Sequence, residues 1–329
     1  MTATPRPLRR PEDAAAQAFW DSLRRTTQAR IGLGRAGDAL PTTEVLEFRA
    51  AHAAARDAVH NPLDVAALAT GVSALGLGEP VHVRSLAADR SEYLRRPDLG
   101  RLPGSVEAAG PVRLEAANSI AGRTVWSGTP PTPTTAAGAG DSDVLAGVPN
   151  VGAEVGFVLA DGLSPRALAD HGVPMLAALI ETLGERYTLA PPVIATQARV
   201  ALGDHIGAAL GVTTVLVLIG ERPGLSVADS LGIYLTHHPR PGRADSERNC
   251  ISNIHPPEGL DYARAARIAT SLVDGARRLG RSGVDLKDTS ADPALTAARG
   301  EPLLLDAVTG PVDAHTARPA LTLDVIDRA

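Results

Sequence analysis

The sequence predicts an α/β protein in which a doubly wound, mostly parallel sheet follows a helical N-terminal region. Three observations lead to this prediction. Residues 212–220, VTTVLVLIG, are apolar on both faces, as is typical of a parallel strand buried between helix layers. Strand-like and helix-like segments alternate between about residues 154 and 280, which is the order of β-α-β units with right-handed crossovers. The first hundred residues show mostly helical periodicity.

In the N-terminal region, helices are predicted over residues 11–30, 44–60 and 63–77. Pro11 and the acidic residues after it suit a helix start, and Asn61-Pro62 suits a helix end. The stretch SGTPPTPTTAAGAGDS, residues 127–142, is too rich in Pro, Gly and Thr for a helix or a packed strand. We therefore expect four segments: a helical region at 1–126, a flexible linker at 127–150, an α/β domain at 151–289 and an irregular tail at 290–329.

The α/β domain is predicted to contain four strands and three helices. The strands are residues 154–162, 191–197, 212–220 and 232–239, and the helices are residues 164–187, 199–211 and 262–280. Ser164 is placed as an N-cap with Pro165 at the first helical position, and Gly211 closes the second helix. A sheet of this order is Rossmann-like.

Composition narrows the function classes. The chain has 329 residues, a formal net charge of −5 and a single cysteine, so it forms no internal disulfide. It has no basic block or aromatic platform for nucleic acid. It has no secretory leader and no apolar run of the roughly 20 residues that a membrane helix needs. We expect a cytoplasmic protein that binds neither nucleic acid nor membrane.

Candidate site residues follow the predicted strands, because ligands of open α/β sheets bind beyond the carboxyl ends of the strands. Glu221 comes directly after the strand at 212–220; it is either a ligand contact or an exposed acid that caps a helix or pairs with Arg222. Cys250, in RNCISN, is either a small packing residue or a nucleophile, and no neighbouring base favours the second. His237 and His238 are adjacent on a strand and therefore face opposite sides, which does not favour a shared metal site.

The string GLGRAG, Gly32–Gly37, matches the glycine spacing of a dinucleotide-binding loop. That site needs a strand before the first glycine and a helix that begins within the loop. A helix precedes the string here, so we interpret it as a glycine-rich turn.

Several longer blocks of the sequence, taken in their order along the chain, resemble those of one known family. The blocks RIGLGRAGDALPT, HAAARDAVHNPLD, SEYLRRPDLG, VALGDHIG, VLIGERPGLSVADSLGIYLT, GRADSERNCISNI and GARRLGRSGVDLKD resemble the small (light) subunit of ethanolamine ammonia-lyase, over residues 30–289 apart from the linker. Residues 101–126 and the tail match no recognised block of that family.

The resemblance implies a subunit of an adenosylcobalamin-dependent carbon–nitrogen lyase that converts ethanolamine to acetaldehyde and ammonia. It implies a large catalytic subunit as partner, with the corrin at the interface and a hexamer of large–small pairs. It also implies association with a bacterial microcompartment. Carried over motif by motif, the cobalamin-binding residues are Val200 in RVA, Glu221 in GERPGLS and Cys250 in RNCISN. The resemblance gives this chain no catalytic residue and no metal ligand of its own.

Two other hypotheses remain at this point. A nicotinamide-dependent oxidoreductase would use the glycine-rich string, and it requires a strand before Gly32. A non-catalytic scaffold would keep the subunit interface and lose the cofactor loops, although GERPGLS and RNCISN are both intact in this sequence.

Overall fold

The computed structural model of the protein describes residues 11–108 and 144–290. The predicted linker at 127–150 lies mostly outside these residues, and of the predicted tail only Ser290 lies within them. Three helices come first: α1 (Pro11–Arg24), α2 (Thr42–His60) and α3 (Val65–Ser73). They confirm the three helices predicted for this part of the chain, with shorter bounds for the first and third.

The region before residue 127 also contributes strands, which the sequence analysis did not predict. Strand β1 (Val81–Ser85) is followed by the short helix α4 (Arg90–Arg95) and by β2 (Pro103–Ala108). Strand β1 pairs with β2 in antiparallel orientation and on its other side with a strand of the later region. Residues on both sides of the predicted linker therefore build one sheet.

The remaining elements follow the predicted alternation. They are β3 (Val155–Ala160), α5 (Pro165–Leu183), β4 (Val193–Thr196), α6 (Leu202–Leu210), β5 (Thr214–Gly220), β6 (Leu231–His237), β7 (Asn249–Ile254) and α7 (Tyr262–Leu279). Ser164 Oγ accepts a hydrogen bond from the Ala167 amide at 3.1 Å, which confirms the predicted cap of α5. Gly211 ends α6 in the left-handed conformation, with φ of 67°.

In the described part of the chain the sheet has seven strands in the order β2-β1-β4-β3-β5-β6-β7. The three pairings among β1, β4, β3 and β5 are parallel, and the three involving β2, β6 and β7 are antiparallel. The α/β class is confirmed, but the expectation of a mostly parallel sheet is wrong because the sheet is mixed. No α-helix lies between β5 and β6 or between β6 and β7, so each of these strands turns back on its neighbour.

Two apolar layers enclose the sheet. One lies under α5, α7 and α3 and receives Leu216 and Leu218 from β5. The other lies under α6 and receives Val215, Val217 and Ile219 from the opposite face of the same strand. Every residue of β3 and β5 is buried, as predicted for central parallel strands. None of the described helices has the length and apolar character needed to cross a membrane.

Candidate functional site

The carboxyl ends of β3, β4 and β5 meet at one edge of the sheet, where the sequence analysis expected a ligand. Between β3 and β5 this edge is closed by the chain itself. The Leu163 amide donates to the Gly220 carbonyl at 2.9 Å. A Cβ added to Gly220 would lie 2.0 Å from the Ser164 carbonyl oxygen. The gap between these two strand ends therefore holds no room for a ligand.

Asp161 joins the turns that follow β3 and β4. Its buried carboxylate accepts hydrogen bonds from the Gln197 amide at 2.9 Å and the Ala198 amide at 3.0 Å, and it pairs with Arg90 at 3.4 Å. Burial raises the pKa of this carboxyl group, and the Arg90 charge and the amide hydrogen bonds oppose that rise. With its oxygens engaged by the chain, Asp161 supports the turns that carry the candidate residues.

Val200 lies in the second of these turns, between β4 and the start of α6. It is partly buried and packs against the apolar layer under α6. Two hydrogen bonds to other parts of the chain hold this turn. The Tyr93 hydroxyl donates to the Ala198 carbonyl at 3.1 Å, and the Arg199 amide donates to the Gly100 carbonyl at 2.8 Å. Val200 thus presents a small apolar side chain from a well-held backbone.

Glu221 is the first residue after β5, as predicted. Its amide donates to the Ser230 carbonyl at 2.9 Å, which closes the loop 221–230 at its base. Its Oε2 accepts from the Ser230 hydroxyl at 2.5 Å and from the Asn253 amide at 3.2 Å. Its Oε1 lies over Gly232, where an added Cβ would approach within 2.9 Å of it. The carboxylate is therefore held above β6 and does not cap a helix.

The sequence analysis expected Cys250 beyond the end of a strand, in a loop. The structure places it within a strand, as the second residue of β7. The short polar string RNCISN forms a strand because its backbone pairs with β6, where Cys250 is the partner of Tyr234. The residue is exposed, but its sulfur is sheltered enough that desolvation raises the pKa of the thiol. Contact with the Tyr234 phenol opposes this rise, and the Glu221 charge adds to it. A thiol with a raised pKa stays protonated near neutral pH and is a poor nucleophile.

Two of the three candidate residues therefore come together. Glu221, Gly232, Tyr234 and Cys250, here called the β6–β7 surface, lie on the side of the sheet that carries α6. The Glu221 charge helps to raise the pKa of both Cys250 and Tyr234, which places these three groups near one another. Val200 packs against the same apolar layer as Tyr234.

Sequence reasoning missed Tyr234, which links the candidate residues. The signal was present in the alternation of the strand GIYLTHHP. Ile233 and Leu235 face the layer under α7, so Tyr234 between them must face the opposite side. Tyr234 is half-buried, and burial is the largest cause of the rise in its pKa.

The adjacent histidines and the glycine-rich string, the other motifs of the sequence analysis, do not form the sites that would give them a chemical role. His237 is buried and His238 is exposed, as their adjacency on a strand predicted. In residues 11–108 and 144–290, no group of three metal-ligating side chains is present. The glycine-rich string follows α1, no strand lies between residue 11 and Gly32, and Gly32, Gly34 and Gly37 all have positive φ. This loop lacks the strand that a dinucleotide site requires.

Comparisons with known proteins give the family. The family model "Ethanolamine ammonia-lyase light chain (EutC)" matches residues 17–115 and 139–287. The ethanolamine ammonia-lyase small subunit of Rhodococcus erythropolis is 59% identical over 288 residues, which cover 88% of this chain and 96% of that protein. The corresponding subunit of Azotobacter vinelandii is 44% identical over 289 residues, which cover 88% of this chain and 95% of that protein. This chain belongs to the ethanolamine ammonia-lyase light chain family.

Proposed function

We propose that this chain is the small subunit of an adenosylcobalamin-dependent ethanolamine ammonia-lyase and positions the cobalamin against a large catalytic subunit. The observation that carries the proposal is the β6–β7 surface. Glu221 and Cys250 are 29 positions apart in the sequence, and in the structure they lie near each other on the α6 side of the sheet, where Cys250 is exposed. The membership in the light chain family supports the same function.

The chemistry of the β6–β7 surface fits a corrin. A corrin is a broad, largely apolar ring with amide side chains around its rim, so it needs a flat bed of small side chains and hydrogen-bond acceptors at the edge. Cys250 is small and exposed, Tyr234 lies half-buried across the strand pair from it, and Glu221 supplies a carboxylate over the buried Gly232. When bound, the cofactor would supply the radical chemistry of the reaction, and this chain's residues would bind and orient it.

Each residue has a definite role in this proposal. We assign Glu221 a hydrogen bond from an amide of the cofactor: Ser230 and Asn253 hold its Oε2, and its Oε1 lies over Gly232. Cys250 and Val200 contribute small, soft packing surfaces. The raised pKa of Cys250 agrees with a packing role and not with a nucleophilic one. The groups that act on the substrate would belong to the large subunit.

The assembly is part of the proposal. A small subunit implies a large partner, and we propose a hexamer of large–small pairs in which the partner covers the β6–β7 surface. We also propose a cytoplasmic location. Packing into a bacterial microcompartment is expected where the neighbouring genes encode such a compartment. A scaffold without cofactor is the alternative, and the cofactor test below separates the two.

The proposal is tested by co-expressing this chain with the large subunit encoded beside it. Ammonia release from ethanolamine is measured with and without adenosylcobalamin, for the pair and for each chain alone. We expect ammonia only from the pair with cofactor. A pair that assembles but neither binds cobalamin nor releases ammonia would contradict the proposed function and favour the scaffold.

A further inference from the structure

Asn253, on β7, holds the carboxylate of Glu221 across β6. Its amide donates to Glu221 Oε2 at 3.2 Å, across 32 positions of sequence. The other donor to this oxygen, Ser230, belongs to the loop that Glu221 itself begins. Asn253 is thus the donor that ties the orientation of Glu221 to β7, the strand that carries Cys250.

The backbone of Asn253 lies at an irregularity in the pairing of β7 with β6. Two residues of β7, Ser252 and Asn253, oppose Gly232 alone, because the register changes from Ile233↔Ile251 to Leu231↔Ile254. This is a β-bulge, a device that redirects groups next to functional sites. Asn253 takes a left-handed conformation in it, with φ of 65°. Asparagine tolerates that conformation better than most residues, and glycine tolerates it best.

Groups behind the strand keep Asn253 in this conformation. Its Oδ1 lies 2.9 Å from Nε2 of His255, whose side chain is buried, and its carbonyl accepts from the Leu260 amide at 2.7 Å. Gly259 packs so closely that an added Cβ would lie 2.4 Å from the Asn253 carbonyl oxygen. The bulge is therefore held by contacts other than the one with Glu221, and these fix the direction of its amide.

We propose that Asn253 is a positioning residue for cobalamin binding: its left-handed backbone aims an amide at Glu221 and sets the direction of that carboxylate. The inference rests on the proposed function. It differs from a direct contact between the Asn253 side chain and the cofactor, because the group that acts is the backbone amide.

The test is a set of variants in the co-expressed two-chain complex, titrated with cyanocobalamin and followed by absorbance. Asn253→Ala disfavours the left-handed backbone, and Asn253→Gly permits it but removes the side chain. We expect the dissociation constant to rise about tenfold in Asn253→Ala, as for a weakened hydrogen bond to a charged group, and to stay within about twofold in Asn253→Gly. In a Glu221→Ala background, Asn253→Ala should change the constant by less than about twofold, because coupled residues are not additive.

The outcomes separate the inference from the proposed function. If the wild-type complex does not bind cyanocobalamin, the proposed function fails. If it binds, and Asn253→Gly weakens binding as much as Asn253→Ala, the left-handed backbone does not by itself position Glu221 and the inference is wrong. Equal losses from Asn253→Ala with and without Glu221 would overturn it as well.

A second measurement keeps the inference testable if Asn253→Ala does not assemble. Hydrogen exchange at the Asn253 amide is compared between the wild-type complex and Glu221→Ala. Loss of the acceptor should speed exchange by about tenfold. Unchanged exchange would show that this amide does not hold Glu221 in solution.

Discussion

Tyr234 and Cys250 are direct cross-strand partners in the β6–β7 pair, and both side chains lie on the α6 side of the sheet. Across an antiparallel pair such residues are close enough to interact. Each affects the other: the Cys250 thiol contributes to the raised pKa of Tyr234, and contact with the phenol opposes the rise in the pKa of Cys250. The result is a neutral aromatic–thiol pair beside the Glu221 carboxylate.

We expect Cys250→Ala to keep most of the turnover of the two-chain enzyme, because the thiol serves by its size. The matched variant Cys250→Phe should lose cobalamin binding, since a large ring would occupy the β6–β7 surface. Turnover and cobalamin affinity are measured for both. An inactive Cys250→Ala enzyme with normal cofactor affinity would show that the thiol itself takes part in the reaction.

Glu221→Ala should raise the dissociation constant for cobalamin about tenfold or more, because a charge-assisted hydrogen bond is lost. Glu221→Gln should have a smaller effect, since the amide keeps one acceptor oxygen. The exposed Glu181 on α5 provides the control Glu181→Gln, which should bind like the wild type. Equal affinity for all the variants would remove Glu221 from the site.

Gly220→Ala should destabilise the fold by about 3 kcal/mol or more, the upper end of the range for overpacked positions. The added Cβ would press on the Ser164 carbonyl, which cannot move without disturbing the start of α5. Gly224→Ala, in the loop that follows β5, is the control, because its Cβ would make only a 3.4 Å contact; its cost should stay within about 0.5 kcal/mol. Urea unfolding measures both. Similar losses would contradict the close contact at Gly220.

Arg248 and Asp204 form a buried ion pair between the segment before β7 and α6. Removing one partner leaves a buried charge, so Arg248→Met should cost about 3–5 kcal/mol near neutral pH. The double variant Asp204→Leu/Arg248→Met should recover most of this loss.

The same pair has a pH dependence that can be checked. Burial raises the pKa of Asp204, and the Arg248 charge opposes the rise. Without Arg248 the folded-state pKa rises further above its unfolded value, so the folded form binds a proton more readily. Arg248→Met should therefore be closer to wild-type stability at pH 5 than at pH 8. A loss that is the same at both pH values would contradict this assignment.

The sequence predicted those parts of the fold whose local signals and packing agree. Ser164 caps α5, Gly211 ends α6, and β3 and β5 are buried throughout, which matches their largely apolar sequences. Strands β1, β2 and β7 were missed. In β7 only Ile251 and Ile254 are buried, so no apolar run marks it, and its pairing with β6 stabilises a polar string as a strand.

The sequence likewise predicted one part of the candidate site and missed another. Glu221 follows the most apolar strand, so its place after β5 could be deduced from the sequence. The meeting of Glu221 with Cys250 could not, because it depends on β6 and β7 running antiparallel. The role of Asn253 depends on a bulge, and the sequence carries no clear mark of that register change.

The antiparallel course of β6 and β7 has a consequence for access. Parallel neighbours would have required a crossover segment, usually a helix, lying over one face of the sheet. Here loops make both turns, so neither connection places an α-helix over the sheet, while α7 packs on the face opposite α6. Among the described residues, Cys250 is exposed on the α6 side, and in the proposed complex the large subunit would cover it.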